Sequence, residues 1–324
     1  MPVLRDLEQV TVFNGSTLNT NGRTVFSKEF PLGEGWYKII PRINIAVVIG
    51  TGSGAIAESE LLFVKNMLLR TDRNEELVNL PARAIYKIAA AKTGSPPRKD
   101  AMAAATATYR VSLPTFFVDD KLFRPEDTIL DTSRYNSITL DIQLGTVADL
   151  FTTVGTSSVT ATLDLEIERS KGYLPPEAQP YYHINNTFVP PVDASSLTFI
   201  DMERSPDLSV KRFYVHASAT GTAGQPWSGA NADDVQNIES FQDQNTFIIQ
   251  KRIHEMIQNQ NKDDYSLESV LAGVTIFDFV RDGSILSSLV TGDKARLQYL
   301  WDNKAGVASG DLVTLSYEGI RLLR

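Results

Sequence analysis

One stretch of this sequence occurs twice, half a chain apart. Leu113 to Gly145, LPTFFVDDKLFRPEDTILDTSRYNSITLDIQLG, can be set against Val274 to Gly306, VTIFDFVRDGSILSSLVTGDKARLQYLWDNKAG, which brings Leu130 opposite Val290 and Leu140 opposite Leu300, an offset of 160 positions in a chain of 324. Both copies run from an aromatic-rich segment (Phe116 and Phe117; Phe277 and Phe279) through an acidic turn and a polar crossing into an alternating strand. Each is followed by a further alternating strand, Val159 to Glu168 and Leu312 to Leu322. The match lies in pattern more than in identity, and a pattern repeated at this period requires an architecture that uses one folding unit twice.

Size leads to the same number. A chain of this length exceeds what one core usually serves, so two domains of about 150 residues each are expected. With 42% hydrophobic and 22% charged residues, it has the composition of an ordinary globular protein with material for two cores. Thirty-one Lys and Arg against thirty-nine Asp and Glu leave a net charge of -8. That balance supplies no counterion-release drive toward phosphate backbones, so no direct nucleic-acid partner is expected. The absence of cysteine removes disulfides, thiolate nucleophiles and Cys-based metal sites together. The opening MPVLRDLEQVTVFNG lacks the pattern of a secretion signal, and the longest strongly apolar run, Ile43 to Ile49, is too short to span a bilayer as a helix.

Alternation dominates the chain. Ile138, Leu140, Ile142 and Leu144 share one face against Thr139, Asp141 and Gln143; Val159, Ala161, Leu163, Leu165 and Ile167 alternate with Thr160, Thr162, Asp164, Glu166 and Glu168. Such period-2 runs mark antiparallel sheets packed on one side and wet on the other, and Arg23 to Gly50 has the same texture. Three segments depart from it. Leu4, Leu7 and Val10 predict a short helix or arm near the start. Leu77 to Gly94, with Pro81 in its first turn and Ile85, Ile88 and Ala89 on a narrow apolar face, predicts a helix. Phe247 to Gln260, with Ile249, Ile253, Met256 and Ile257, predicts its counterpart in the second half. Ser170 to Asp193 holds five of the fifteen prolines, each unable to donate to a strand ladder, and reads as a boundary. The expected organisation is an N-terminal arm (1–21), a first β domain (22–170), a Pro-rich linker (171–193) and a second β domain (194–324). Thr220 to Asp234 and Gly50 to Ser59 are expected to be exposed loops, because small polar residues bury little.

Chemistry finds few footholds. Gly50-Thr51-Gly52-Ser53-Gly54-Ala55 fits the loose dinucleotide pattern, with Asp72 downstream, and is the sole carrier of an NAD-dependent oxidoreductase reading. That fingerprint needs a helix directly after the glycines, inside a strand-helix-strand unit, and the strand-rich chain beyond favours a loop between strands. Asp119, Asp120, Glu126, Asp127 and Asp131 carry a second alternative, a carbohydrate-binding or carbohydrate-active β-sandwich, since paired carboxylates serve glycoside hydrolysis. Lys121, Arg124 and Arg134 interleave with them as in a salt-bridged turn, and calcium-loop spacing is absent. Asp263-Asp264 and the stretch from Asp302 to Asp311 lack ligand spacing too. His183, His216 and His254 form no local metal pair, and each reads as a surface or interface residue. Trp36, Trp227 and Trp301 are scattered and make no stacking platform. No catalytic, cofactor-binding or metal residue is predicted.

Three groups of residues carry a family likeness. Leu80-Pro81-Ala82-Arg83-Ala84-Ile85-Tyr86 leading to Thr93-Gly94, Leu113-Pro114 followed by Phe123-Arg124-Pro125-Glu126-Asp127-Thr128, and Asp131-Thr132-Ser133-Arg134-Tyr135-Asn136 resemble segments of the double jelly-roll major capsid proteins of tailless icosahedral, lipid-containing bacteriophages. The resemblance spans about residues 20 to 324. It implies an all-β fold with short inserted helices, built as two consecutive jelly-roll β-barrels. It also implies three chains per pseudo-hexagonal capsomer, and capsomers tiling a virion shell over an internal membrane. Neighbouring capsomers, vertex (penton) proteins and the membrane or its proteins are the implied partners, and the chain would pass from the host cytoplasm into the virion. An acidic shell protein separated from its genome by lipid has no phosphate to neutralise, which agrees with the charge. The second copy reads Arg281-Asp282-Gly283-Ser284-Ile285 where the first has Arg-Pro-Glu-Asp-Thr, so any role of that word belongs to the first barrel alone.

Overall fold

The computed structural model describes residues 7–27, 30–51, 54–56, 58–170, 182–195, 198–218, 236–304 and 306–322. The loop Thr220 to Asp234 and the first part of the Pro-rich segment, 171–181, lie outside the described residues. Two compact units divide the chain: one holds residues up to Ala89 with Pro96–Asn186, the other Ala90–Ser95 with Thr187–Leu322.

The first unit runs β1 (Leu7–Leu18), β2 (Arg23–Phe26), β3 (Gly35–Val48), α1 (Ser59–Phe63), β4 (Val64–Thr71), β5 (Glu76–Leu80), α2 (Ala82–Thr93), β6 (Ala107–Ser112), β7 (Thr115–Phe116), β8 (Leu130–Asp131), β9 (Ile138–Leu144) and β10 (Ser158–Ser170). One sheet has the order β1-β10-β3-β6, with β7 and β8 continuing along β3; the other is β2-β9-β4-β5. All pairings within these sheets are antiparallel. The second unit runs β11 (Tyr182–Asp193), β12 (Phe199–Asp201), β13 (Leu208–Ser218), β14 (Gln236–Asp243), β15 (Thr246–Ile253), α3 (His254–Asp264), β16 (Val274–Asp278), β17 (Leu289–Val290), β18 (Leu297–Asn303) and β19 (Leu312–Leu322). Its sheets are β11-β19-β13-β16, with β17 beside β13, and β12-β18-β14-β15. The wiring is therefore the same twice: first, last, third and post-helix strands in one sheet, second, penultimate, fourth and fifth in the other. That is the jelly roll, an arrangement that stacks two sheets over one core.

The repeat seen in the sequence lies inside this wiring. Short 3-10 turns at Pro125–Thr128 and Ile285–Ser287, β8 and β17, and β9 and β18 come in the same order with the 160-residue offset kept to within a residue. Alternation builds the cores as expected. Ile39, Ile43, Ile45 and Val47 of β3, Ala161, Leu163, Leu165 and Ile167 of β10, and Ile138, Leu140, Ile142 and Leu144 of β9 are all buried, each contributing about 1.5–3 kcal/mol for a large aliphatic side chain. In the second unit, Val210, Phe213 and Val215 of β13 and Leu315 and Tyr317 of β19 join Phe241 of β14 and Tyr299 and Trp301 of β18 in one cluster, so both sheets meet in it. Pro41 stands inside β3 without breaking it. It pairs with Leu165 of β10 on one side, and on the other Leu113 N–H donates to its carbonyl, in the gap where β6 stops and β7 has not begun.

Several expected boundaries move. The N-terminal arm or helix is a strand from Leu7, paired along β10. The helix foreseen from Leu77 starts at Ala82, with Pro81 just outside it and its carbonyl accepting from Ile85 N–H; Leu77 and Leu80 belong to β5. The helix foreseen from Phe247 starts at His254, because Thr246–Ile253 pairs with β14 as a strand. Ile249 and Ile253 are four apart, a spacing that keeps one face on a strand as well as on a helix, so periodicity could not separate the two. The apolar face of α2 is also broader than foreseen, with Ala84, Tyr86, Ala90 and Ala91 buried beside Ile85, Ile88 and Ala89. Tyr182–Asp193, read as linker, is β11; proline is compatible with a strand wherever its missing donor has no ladder to serve. Among the described residues no helix is long and apolar enough to cross a membrane.

Candidate functional site

The glycine loop after β3 is a close contact between loops and not a phosphate cradle. A Cβ on Gly50 would lie 2.1 Å from Thr156 Oγ1 and 2.6 Å from the Thr156 carbonyl carbon, and one on Gly155 would lie 2.1 Å from the Thr51 carbonyl oxygen. Glycine is needed at Gly50 and Gly155 so that two backbones can touch. Two N–H groups at the start of the loop are engaged within the chain: Ile49 N–H donates to Thr106 Oγ1 at 3.0 Å and Gly50 N–H to Ser157 Oγ at 2.9 Å. Gly52 and Ser53 lie outside the described residues, and the next helix in the chain is the five-residue α1, not the helix of a dinucleotide site. Nor is the segment wholly exposed, since Ile56 and Ser59 are buried.

The acidic cluster is a turn in which the carboxylates serve as scaffolding. Asp119 is buried and accepts from Lys121 N–H at 3.3 Å, while its own N–H donates to Thr128 Oγ1 at 3.0 Å. Asp120 accepts from the Tyr37 hydroxyl, whose pKa is pushed up by burial and by that carboxylate. Asp127 faces Arg124 at 3.5 Å. Asp131 caps the 3-10 turn Thr132–Arg134, accepting from Ser133 N–H at 3.0 Å and from Arg134 Nε at 2.9 Å. The side chain of Glu126 lies outside the described residues. A cleft of about 640 Å³ on the outer face of β3 and β6 is lined by Arg42, Arg98 and Arg110 and one carboxylate, Asp164. Asp164 is bound to Asn44 at 2.9 Å and to Gly15 N–H at 2.7 Å, so among the described residues this cleft presents no opposed pair of carboxylates of the kind glycoside cleavage uses.

The histidines and several charges are placed where the sequence did not put them. His216 and His254 are buried, not at the surface: His216 Nε2 lies 2.8 Å from Ser316 Oγ and His254 Nδ1 2.8 Å from Glu239 Oε2. His183 has its side chain outside the described residues. Glu239 also accepts from Thr275 at 2.7 Å and Tyr299 at 2.5 Å, and burial followed by this carboxylate raises the Tyr299 phenol well above its ordinary value. Nearby, Glu318 receives Lys92 at 2.6 Å, Arg212 at 3.2 Å and Lys211 at 3.4 Å, and Arg212 also grips Asp278 at 2.8 Å. Asp264 and Asp311 are likewise engaged, by Arg281 at 2.6 Å and by Ala308 N–H at 2.8 Å. In the first unit, Glu60 is buried against Lys99 at 2.6 Å; burial opposes the lysine's charge, but the carboxylate outweighs it and the Lys99 pKa is raised. These are structural clusters, with each carboxylate surrounded by donors. Among the described residues no group of three or more His, Asp or Glu is placed to hold a metal ion.

The fold thus defines the class: an all-β chain of two jelly rolls with short inserted helices. No family model and no curated protein matches the sequence. Solved structures do match. The MCP of Sulfolobus turreted icosahedral virus aligns over 98% of this chain and 97% of its own at a TM-score of 0.68 and 15% identity. The major capsid protein P2 of bacteriophage PM2 aligns over 98% of both chains at 0.63 and 10% identity. The PBCV-1 virus capsid model aligns over 97% and 93% at 0.59 and 9%. At these identities the likeness is one of fold, and it covers both barrels.

Proposed function

We propose that this chain is a major capsid protein, a structural protein and not an enzyme, that assembles as pseudo-hexagonal homotrimers to tile an icosahedral virion shell over an internal membrane. The observation that carries the reading is the complete jelly roll repeated in one chain, matched end to end by capsid proteins of the same architecture. Three such chains present six nearly equivalent barrels, which is how a threefold unit fills a hexagonal tile. The commitment of the candidate carboxylates, histidines and loop N–H groups to structure agrees with a building block. A net charge of -8 agrees with a shell that lipid separates from the genome. Vertex proteins and the membrane or its proteins are the further partners of this reading.

Native mass measurement of the purified chain, followed by negative-stain imaging, tests the proposal. The expected result is a three-chain species with a hexagonal outline. A chain that remains monomeric at every concentration and never forms larger arrays overturns it.

A further inference from the structure

The cleft on the outer face of β3 and β6, in the first unit, is unbalanced in charge. Arg42, Arg98 and Arg110 line it against one carboxylate, Asp164, and its volume of about 640 Å³ has room for several side chains. The three guanidiniums are engaged to different degrees. Arg42 is held by Glu166 at 2.7 and 3.0 Å. Arg98 lies 4.0 Å from Asp100 with 72% of its side chain exposed, which makes a weak pair. Arg110 is bound to Asp100 through its backbone N–H and carbonyl, but its guanidinium has no partner among the described residues. In the second unit, α3 presents the opposite case. It buries His254, Ile257, Gln258 and Asn261 and leaves Met256, Asn259 and Asp263 exposed, spaced three and four apart along one stripe. Glu255, near the start of the helix, is taken by Lys304 at 3.6 Å. Asp263 ends the stripe, and its carboxylate has no partner among the described residues; nor has that of exposed Glu268, just beyond the helix.

We infer that this cleft receives α3 of a second copy of the chain, with Asp263 of one copy against Arg110 of the other. The inference rests on the capsid reading and names a surface through which its chains join. Charge selects the occupant. A cation without a partner in a cleft and a carboxylate without one on an exposed helix stripe are complementary surfaces, and complementarity of this kind steers encounter and fixes register between partners. An anionic sugar is the other ligand of matching charge and size. It is disfavoured because the lining of arginines and small polar residues such as Thr108 and Ser112 holds no aromatic side chain to pack against a sugar ring. Because cleft and helix are different surfaces, the contact is heterologous: copies join head to tail, and three close a ring in which every cleft and every α3 is occupied.

Charge reversal tests the pairing. R110E and D263R are each expected to weaken trimer formation about tenfold or more, and R110E/D263R, which swaps the two charges, is expected to restore it. Both positions are exposed, and circular dichroism establishes that each variant folds. The chain has no cysteine, so paired substitutions give a second reading that does not depend on the charge variants. Asn259→Cys on α3 is combined with Thr108→Cys or Ser112→Cys in the cleft, oxidised, and resolved without reductant. The expected result is interchain cross-linking that ends at three chains and reverses with reductant, while Asn259→Cys combined with Val25→Cys, exposed on the other sheet of the first unit, stays unlinked. Trimers that form unchanged in all the charge variants, with neither cleft pair cross-linking, overturn the docking and leave the capsid reading standing. So does R110E that assembles as the parent chain does but loses the parent's binding to heparin fragments, a result that assigns the cleft to an anionic sugar. A parent chain that stays monomeric throughout overturns both.

Discussion

The two barrels share their wiring and differ in what they bury. In the first, Asp141 on β9 is 2% exposed, but its cations, Arg23 at 3.5 Å and Arg70 at 3.9 Å, are 52% and 40% exposed, so water shares the work of solvating the cluster. In the second, Glu318 and Lys211 are fully buried, Arg212 is 1% exposed, and Lys92 from the last turn of α2 is 10% exposed. Strand order depends on a two-residue apolar period, which a diverging duplicate can keep while nearly every residue changes. Core polarity depends on what packs over each face, and that has diverged. A buried network of this kind is weak evidence for stability, because well-packed apolar residues often do as well. Breaking one by removing a single partner is costly.

The contrast can be broken most directly at Glu318. Glu318→Ala removes the acceptor shared by three cations and is expected to lower unfolding free energy by about 3–5 kcal/mol, read from denaturant midpoints at constant slope. A loss below about 1 kcal/mol, the level of a surface pair, would show that the second barrel's network is as dispensable as a surface one. Glu60→Ala in the first barrel should cost less, about 1.5–3 kcal/mol, because Lys99 is 21% exposed and can turn to water. Equal losses at the two sites would erase the difference between the barrels.

Alkaline titration sharpens the same comparison. Burial, reinforced by Asp278 and Glu239, holds the Tyr265 and Tyr299 phenols of the second barrel well above 10.0, so the folded state keeps protons that the unfolded chain releases near that pH. Their contribution is full below pH 10 and is lost as pH rises beyond it. Near-ultraviolet phenolate absorbance should show these two ionising only in the cooperative unfolding step. Tyr86 of the first barrel, raised by burial but opposed by Lys99, should ionise before it. The smallest effect belongs to the acidic turn. Arg124→Ala and Asp127→Ala should each change stability by less than about 1 kcal/mol, since Arg124 is 57% exposed. A larger loss, or loss of glycan binding by a chain shown to bind glycans, would restore a functional role to that turn.

Legibility divided along the same line. The strands β9 and β10 could be read residue by residue, and the repeat offset placed β8 with β17 and β9 with β18, because alternation is local and survives substitution. The two long helices were foreseen too early, at residues where a spacing of four suits both strand and helix. In β13, Lys211 and Arg212 are adjacent, so alternation puts one of them outward. Both are buried and both reach Glu318, because the pairing with β19 shifts register between Val210 and Arg212 and breaks the alternation there, while Lys92 of α2 and Tyr265, just after α3, reach partners of this network. Nothing in the spacing of β13 announces a helix end arriving from about 120 positions upstream. The burial of His216 and His254 was missed for the same reason.

By itself the sequence determined a duplicated, antiparallel, two-core chain without the residue patterns of an enzyme, since periodicity and composition are properties of neighbouring residues. The tertiary structure alone decided that the glycines after β3 permit a loop contact, that charged side chains fill part of the second core, and that among the described residues β1 and β15 are each paired with one strand. Each of these depends on which distant backbone arrives alongside, and that is settled only when the sheets close.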